Sequence, residues 1–113
     1  MTFRAQGMRA WLLQRLSAAY LALFVTISVF WFLTGAPVDH AAWRALLGTP
    51  GISVALALAF AALFFHAWVG IRDVLVDYVP NLKWRLVLLI GVALVLLGLA
   101  VWSALILISV YQP

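Results

Sequence analysis

Cysteine is absent from the 113-residue sequence. Disulfides, iron–sulfur ligation, thiolate catalysis and cysteine-based zinc sites are therefore excluded within this chain. Charge is scarce as well, because charged residues make up only 9% of the sequence while hydrophobic residues make up 68%. A water-soluble domain of this length has a large surface relative to its volume and needs polar side chains to cover it. The composition therefore predicts a protein whose solvent is the lipid bilayer.

Three apolar runs, 16–33, 52–71 and 86–110, are each close to or above the roughly 20 residues that a helix needs to cross a bilayer. Only a helix satisfies its own backbone hydrogen bonds there. We predict an all-α transmembrane fold with spans at about 12–34, 52–77 and 84–110. They form a single membrane-anchor domain, 1–113, with no internal repeat.

The basic residues are divided unequally between the two sides of the membrane. Of the seven basic residues, only Arg44 lies in the connection between the first two spans. Cytoplasmic segments carry the excess of Lys and Arg, so the N-terminus should be cytoplasmic and the C-terminus periplasmic. This distribution indicates orientation signals and not a nucleic-acid-binding stripe. The residues on the cytoplasmic side are Arg4, Arg9, Arg15, Arg72, Lys83 and Arg85.

Two polar connections join the spans. In the first, Asp39 can cap a short helix that presents Trp43, Leu46 and Leu47 on one side, and we expect this helix to lie on the outer membrane surface. In the second, Pro80 disfavours helix at the preceding residue, so the second span should end near Tyr78.

His66 is the ionisable residue of the second apolar run. It lies about 8 Å inside the cytoplasmic end of that run, at a rise of 1.5 Å per residue. A group at that depth should face protein and not lipid. Gly70, one turn further on, removes a side chain from the same face and would let a flat cofactor or another helix approach. At helical spacing one stripe contains Ala59, Ala62, His66, Gly70, Asp73 and Asp77.

The position of His66 leaves more than one role open. It could be a neutral histidine that donates to a carbonyl of a neighbouring helix, a ligand to haem iron, or a hydrogen-bond donor to a quinone. His40 is in the outer loop, and both methionines, Met1 and Met8, are N-terminal. A second axial ligand would therefore come from another chain, which implies a partner or a symmetric dimer.

Other polar residues near the cytoplasmic side also allow two interpretations. Arg9 and Arg15 are either orientation residues or partners for haem propionates, since a guanidinium suits carboxylates. Asp77 and Tyr78 can simply form a solvated helix end. A small transporter that oligomerises around His66 and an assembly factor without a cofactor are the alternative function classes.

The segment from His66 to Tyr78 has the pattern His-x-x-x-Gly-x-x-x-Val-x-x-Asp-Tyr. It resembles the second helix of the hydrophobic membrane anchor subunits (D subunits) of succinate dehydrogenases. The length, the three spans, the orientation and Arg15 ahead of the first span also agree with that family, so the resemblance extends over most of the chain.

The resemblance implies a non-catalytic subunit of a respiratory complex, complex II, in the bacterial cytoplasmic (inner) membrane. In that complex a flavoprotein subunit oxidises succinate, and an iron–sulfur subunit relays the electrons to ubiquinone. Two small three-helix anchors hold haem b between them. The expected partners are therefore both soluble subunits, membrane lipid and a second anchor of the cytochrome b type, which supplies the other haem histidine.

The resemblance also implies roles for individual residues. His66 matches the ligand to the haem iron, and Arg15 matches an arginine near the haem propionates and the quinone pocket. Tyr78 matches a tyrosine that hydrogen-bonds a quinone carbonyl, and Asp77 is its acidic neighbour, suited to proton delivery. Some relatives have a histidine at the position of Arg9, which makes Arg9 a further candidate for a propionate.

One departure from the family pattern concerns charge. A glutamine is common where this sequence has Asp73. An extra carboxylate on the histidine stripe would repel propionates unless Arg72 or a partner pairs it. Within the same family, the anchor of a fumarate reductase is the alternative function, and a non-haem assembly or transport subunit is the alternative outside it.

Overall fold

The computed structural model describes residues 3–113, with side chains from residue 7 onward. This part of the chain consists of helices and short connections, with no strand. Three helices are long and apolar enough to cross a membrane. The predicted all-α architecture with three spans is therefore confirmed, while the side chain of Arg4 lies outside the described residues. The helices are α1 (Phe3–Thr34), α2 (His40–Gly48), α3 (Pro50–Tyr78) and α4 (Leu82–Val110).

Local signals set the ends of the two later spans. Pro50 occupies the first turn of α3, where its missing N–H costs nothing. The helix ends at Tyr78, as Pro80 predicts. Asn81 caps α4, because its side-chain oxygen accepts from the backbone nitrogen of Lys83 at 2.9 Å. The helices thus cover 50–78 and 82–110, against predicted spans of 52–77 and 84–110.

The first helix is longer than its apolar part. It begins at Phe3, whereas the predicted span begins at about residue 12. The span prediction followed hydrophobicity, and the preceding residues include Arg4, Gln6 and Arg9. The helix therefore begins in a more polar segment that precedes the apolar run.

The three spans form an open row. Helix α3 lies in the middle and contacts both α1 and α4, but α1 and α4 do not contact each other within the described chain. The molecule measures 49 × 26 × 25 Å. Its long axis is comparable to a bilayer with its headgroup regions, about 40–45 Å. One row of helices leaves both of its faces available to lipid or to other chains.

The interior of the described chain is correspondingly small. Its buried residues are Ala59, Val69, Leu107 and Val110, together with Ser53 and Gly48. Large apolar side chains along α1 and α4 are exposed, including Leu33 and Ile108. In water such a surface would aggregate, so the packing is that of a protein whose helices lie in lipid.

The short helix α2 is held against the ends of the spans that lie near the connection between α1 and α3. Asp39 caps it by accepting from the backbone nitrogen of Ala42 at 2.7 Å, which confirms the predicted cap. The Trp43 ring lies 5.5 Å from the ring of Phe32 in α1. At the other end, Gly48 accepts from the backbone nitrogen of Gln112 at 2.9 Å. A Cβ at Gly48 would overlap the Val110 carbonyl oxygen, so this close approach requires glycine.

The predicted apolar side of α2 is also confirmed. Trp43, Leu46 and Leu47 line one cavity, of about 440 Å³, between α1, α2 and α3. Its location at the membrane surface stays a prediction, as does the orientation of the whole chain.

Candidate functional site

His66 lies on the side of α3 that packs against α1. Its ring is half-buried, and Nδ1 is 3.3 Å from the hydroxyl oxygen of Ser17. The Ser17 hydroxyl donates to the backbone carbonyl of Gln14, one turn earlier in α1, at 3.0 Å. A polar connection therefore joins the ionisable residue of α3 to the neighbouring helix, as expected for a histidine inside a membrane.

A second contact between the same two helices lies deeper in the span. The Tyr20 hydroxyl donates to the Ala55 carbonyl oxygen at 2.7 Å. Together with the contact between Ser17 and His66, it fixes the two antiparallel helices at two places. The orientation of the His66 side chain is thus tied to the register between α1 and α3.

Two clefts run along the contact between α1 and α3, and His66 lines both. On one side is a cleft of about 460 Å³, which we call the arginine cleft because Arg15 and Arg72 line it. On the other side is a cleft of about 350 Å³, the glycine cleft, lined by Gly70 and Val74. Both volumes fall within the range of small-molecule sites, about 300–1,000 Å³.

The helical spacing of α3 explains why there are two clefts. At about 100° per residue, Val69 and Asp73 lie on one side of His66, and Ala67 and Gly70 lie on the other. The residue stripe predicted around His66 therefore faces α1 along its centre and borders one cleft on each side. Gly70 has open space where a side chain would begin, which agrees with the predicted gap.

The arginine cleft contains both signs of charge. Arg72 is paired with Asp73 through two contacts to one carboxylate oxygen, from Nε at 3.1 Å and from Nη2 at 3.0 Å. Arg15 lies over the ring of Trp11, with its Cζ 5.5 Å from the ring centroid. Within the described residues Arg15 has no acidic partner. The cleft therefore keeps one guanidinium that an anionic group could use.

Gln14 and Ser17 were not identified from the sequence. Gln14 lines both clefts, and its side-chain oxygen is buried without a hydrogen-bond partner among the described residues. Buried polar atoms are normally hydrogen-bonded, so this acceptor needs a donor from outside the described residues. The available signal was two polar residues three positions apart at the beginning of an apolar helix, which share a face.

The remaining predicted site residues lie away from His66. Tyr78 is the last residue of α3 and is 79% exposed. Its position is about 18 Å along the helix from His66, at 1.5 Å per residue. Asp77 and Arg9 are also exposed, and neither lines the two clefts. The chain thus brings together His66 and Arg15, but not the pair at the end of α3.

Metal-ligating side chains are sparse. In residues whose placement is described, no group of three or more His, Asp or Glu side chains could hold a metal ion.

Comparisons with known proteins agree with this architecture. The family model described as succinate dehydrogenase/fumarate reductase transmembrane subunit matches residues 2–101. A relative from Coxiella burnetii, a succinate dehydrogenase hydrophobic membrane anchor subunit, is 29% identical over 98 residues. The matched region covers 87% of this chain and 85% of that protein.

Proposed function

Because the chain belongs to the family of succinate dehydrogenase and fumarate reductase transmembrane subunits, we propose that it anchors a succinate dehydrogenase and contributes half of a haem b site and part of a ubiquinone site. The observation that carries this proposal is the arginine cleft. It combines a half-buried membrane histidine with an arginine that has no acidic partner within the described chain.

The ring nitrogens of His66 fit an axial haem ligand. Nδ1 faces the Ser17 hydroxyl, while Nε2 has no hydrogen-bond partner among the described residues. His40 begins α2, beyond the outer end of α1, and cannot reach the same site. The second ligand would come from the other anchor subunit, which would cover the open side of the α1–α3 pair. Bound haem would supply a one-electron redox centre within the membrane.

The charges of the arginine cleft fit the two carboxylates of a haem. Arg15 would bind a propionate, since its planar guanidinium suits a carboxylate. Asp73 would repel a propionate if it were alone, but Arg72 neutralises it at 3.0 Å. Arg9 is exposed near the same end and would meet a propionate only after a partner chain brings one there. The open space at Gly70 would leave room for a flat group to approach His66 closely.

The end of α3 suits ubiquinone reduction. Electrons arrive from a water-soluble iron–sulfur subunit, so the quinone should bind near the cytoplasmic surface. The Tyr78 hydroxyl would donate a hydrogen bond to a quinone carbonyl. Reduction to ubiquinol takes two electrons and two protons, and the Asp77 carboxylate, in contact with water, would deliver protons. Both side chains are exposed in this chain, so the other subunits would complete the pocket.

A fumarate reductase is the second candidate, because the family description includes both enzymes. The anchor-subunit name of the Coxiella burnetii relative favours succinate oxidation. The two are separated by turnover of the purified complex. Faster succinate-dependent reduction of ubiquinone than quinol-dependent reduction of fumarate is expected, and the reverse ratio would favour the second candidate.

Gly70→Leu should lower the haem content of the complex. A leucine would occupy the glycine cleft beside His66, where the open space at Gly70 now leaves room. We expect loss of most of the haem relative to the amount of flavoprotein subunit, measured from the reduced pyridine haemochrome spectrum. Gly91→Leu is the matched control, because Gly91 also has open space around it but lies on α4. Equal haem in both variants would contradict the assignment of this cleft.

The orientation of the chain can be tested with reporter fusions. The basic residues favour a cytoplasmic N-terminus, and three spans then leave the C-terminus outside. A C-terminal alkaline phosphatase fusion should be active and a green fluorescent protein fusion at the same end should be dark. The opposite pattern would move Tyr78 and Asp77 to the periplasmic side and would remove the quinone assignment.

A further inference from the structure

A chain of hydrogen bonds links the Gln14 carbonyl and the Ser17 hydroxyl of α1 to the His66 ring of α3. The Ser17 hydroxyl has one proton and two lone pairs. Its proton is directed to the Gln14 carbonyl at 3.0 Å, and its oxygen is 3.3 Å from Nδ1 of His66. A hydroxyl that already donates to a carbonyl can only accept from a second neighbour. His66 must then be the donor, with its proton on Nδ1.

This arrangement determines what the other side of the ring can do. A neutral imidazole has one N–H and one nitrogen with a free lone pair, and the hydrogen bond made by the first selects the second. With the proton on Nδ1, the free lone pair is on Nε2, which has no hydrogen-bond partner among the described residues. Nitrogen ligands bind a metal through such a lone pair, and their orientation depends on the partner of the remote N–H.

We propose that Ser17 is a positioning residue that holds His66 in the Nδ1–H tautomer and presents Nε2 to the haem iron. The step to iron rests on the proposed function, whereas the tautomer does not. The Gln14 carbonyl contributes by engaging the Ser17 proton. The Tyr20 hydroxyl bond to Ala55 keeps α1 and α3 in register, so that Ser17 stays opposite the ring.

The tautomer can be measured without haem. The chain has two histidines, so histidine labelled with ¹⁵N in both ring positions gives signals from only His40 and His66. A His66→Gln sample identifies which signals belong to His66. Solid-state NMR of the full chain in lipid bilayers, with the imidazole neutral, then distinguishes the two nitrogens by their chemical shifts. We expect the Nδ1–H form for His66 in the wild-type chain.

Substitution of Ser17 tests the cause. Ser17→Ala removes the acceptor, and we expect the population to shift towards the Nε2–H tautomer. Ser17→Thr keeps a hydroxyl and should restore the wild-type pattern. Ser103→Ala is the matched control, because Ser103 is also half-buried and donates to the carbonyl three residues earlier, at 2.9 Å, on a helix that does not contact α1. It should leave the spectrum unchanged.

A second measurement uses the assembled complex. Transfer of haem to excess apomyoglobin gives the rate of haem loss, and Ser17→Ala should increase it about 10-fold, the usual lower effect of removing the partner of a metal-binding histidine. Ser17→Thr and Ser103→Ala should match the wild type. The haem midpoint potential should also rise in Ser17→Ala, because a histidine without a hydrogen-bond acceptor is a poorer electron donor to iron.

The possible results separate the two proposals. An Nε2–H tautomer in the wild-type chain, or no change in Ser17→Ala, would overturn the role of Ser17. A wild-type complex without haem would overturn the proposed function, and the NMR result would still decide the tautomer. An altered tautomer with an unchanged rate of haem loss and an unchanged potential would overturn the step from Ser17 to iron.

Discussion

A complex carrying His66→Ala should lack the absorption and electron paramagnetic resonance signals of low-spin, six-coordinate haem b. The substitution removes Nε2, the ring nitrogen that faces away from Ser17. The arginine cleft then has no side chain that could bind the haem iron. Loss of the ligand itself should weaken haem binding by more than about 100-fold, since changes around a metal-binding histidine alone cost about 10–100-fold. Any haem that remains should have one protein ligand fewer and a high-spin spectrum.

The second histidine provides the control for this experiment. His40→Ala changes the same residue type at the start of α2, in the connection between α1 and α3, where the side chain is exposed. Its haem content and spectrum should equal those of the wild type. If His66→Ala instead kept a normal low-spin spectrum, His66 would be a structural histidine that only joins α3 to α1.

Replacing Tyr78 by phenylalanine should slow quinone reduction and leave the haem unchanged. The quinone carbonyl would lose the hydrogen bond that the Tyr78 hydroxyl donates, and a buried acceptor left without a donor costs about 1–3 kcal/mol. We expect kcat/KM for ubiquinone to fall about 5- to 150-fold, because each 1.36 kcal/mol is a factor of about ten in rate. Steady-state assays with a soluble ubiquinone analogue measure this directly.

Tyr111→Phe is the control for loss of a phenol, since Tyr111 is at the C-terminal end of α4, whereas Tyr78 lies near the N-terminal end of that helix. Succinate oxidation with an artificial acceptor that takes electrons before the membrane should be normal in both variants. Wild-type quinone kinetics in Tyr78→Phe would withdraw the quinone role of Tyr78 while leaving the haem assignment intact.

The hydrophobic pattern was sufficient to predict the spans. Each apolar run had to be a helix, and Pro80 and Asp39 gave the end of α3 and the start of α2. The beginning of α1 was less well predicted, because hydrophobicity identifies the part inside lipid and not the polar turns that continue the same helix.

The site was predicted only in part for a related reason. The stripe on α3 could be obtained from spacing within one helix, so His66 and Gly70 were identified. The contribution of α1 depends on which of its faces meets α3, and sequence periodicity does not determine that when almost every side of the helix is apolar. Ser17 and Gln14 therefore became visible only with the contact between the helices.

The pairing of Arg72 with Asp73 is an intermediate case. The sequence indicated that a carboxylate on the histidine stripe needs a cation, and Arg72 was the adjacent candidate. The structure contains that pair at 3.0 Å. The proposed quinone pocket at Tyr78 could not be predicted from one chain, because Tyr78 is exposed here and the other walls of the pocket would come from other subunits.

The central claim is that this chain holds half of a haem site. Its most direct test is the reduced-minus-oxidised absorption spectrum of membranes that contain the chain with its partner anchor, compared with membranes that contain either anchor alone. We expect a low-spin b-type spectrum only when both anchors are present, with iron bound by His66 and by a histidine of the partner. A normal pair of anchors without any haem signal would contradict it.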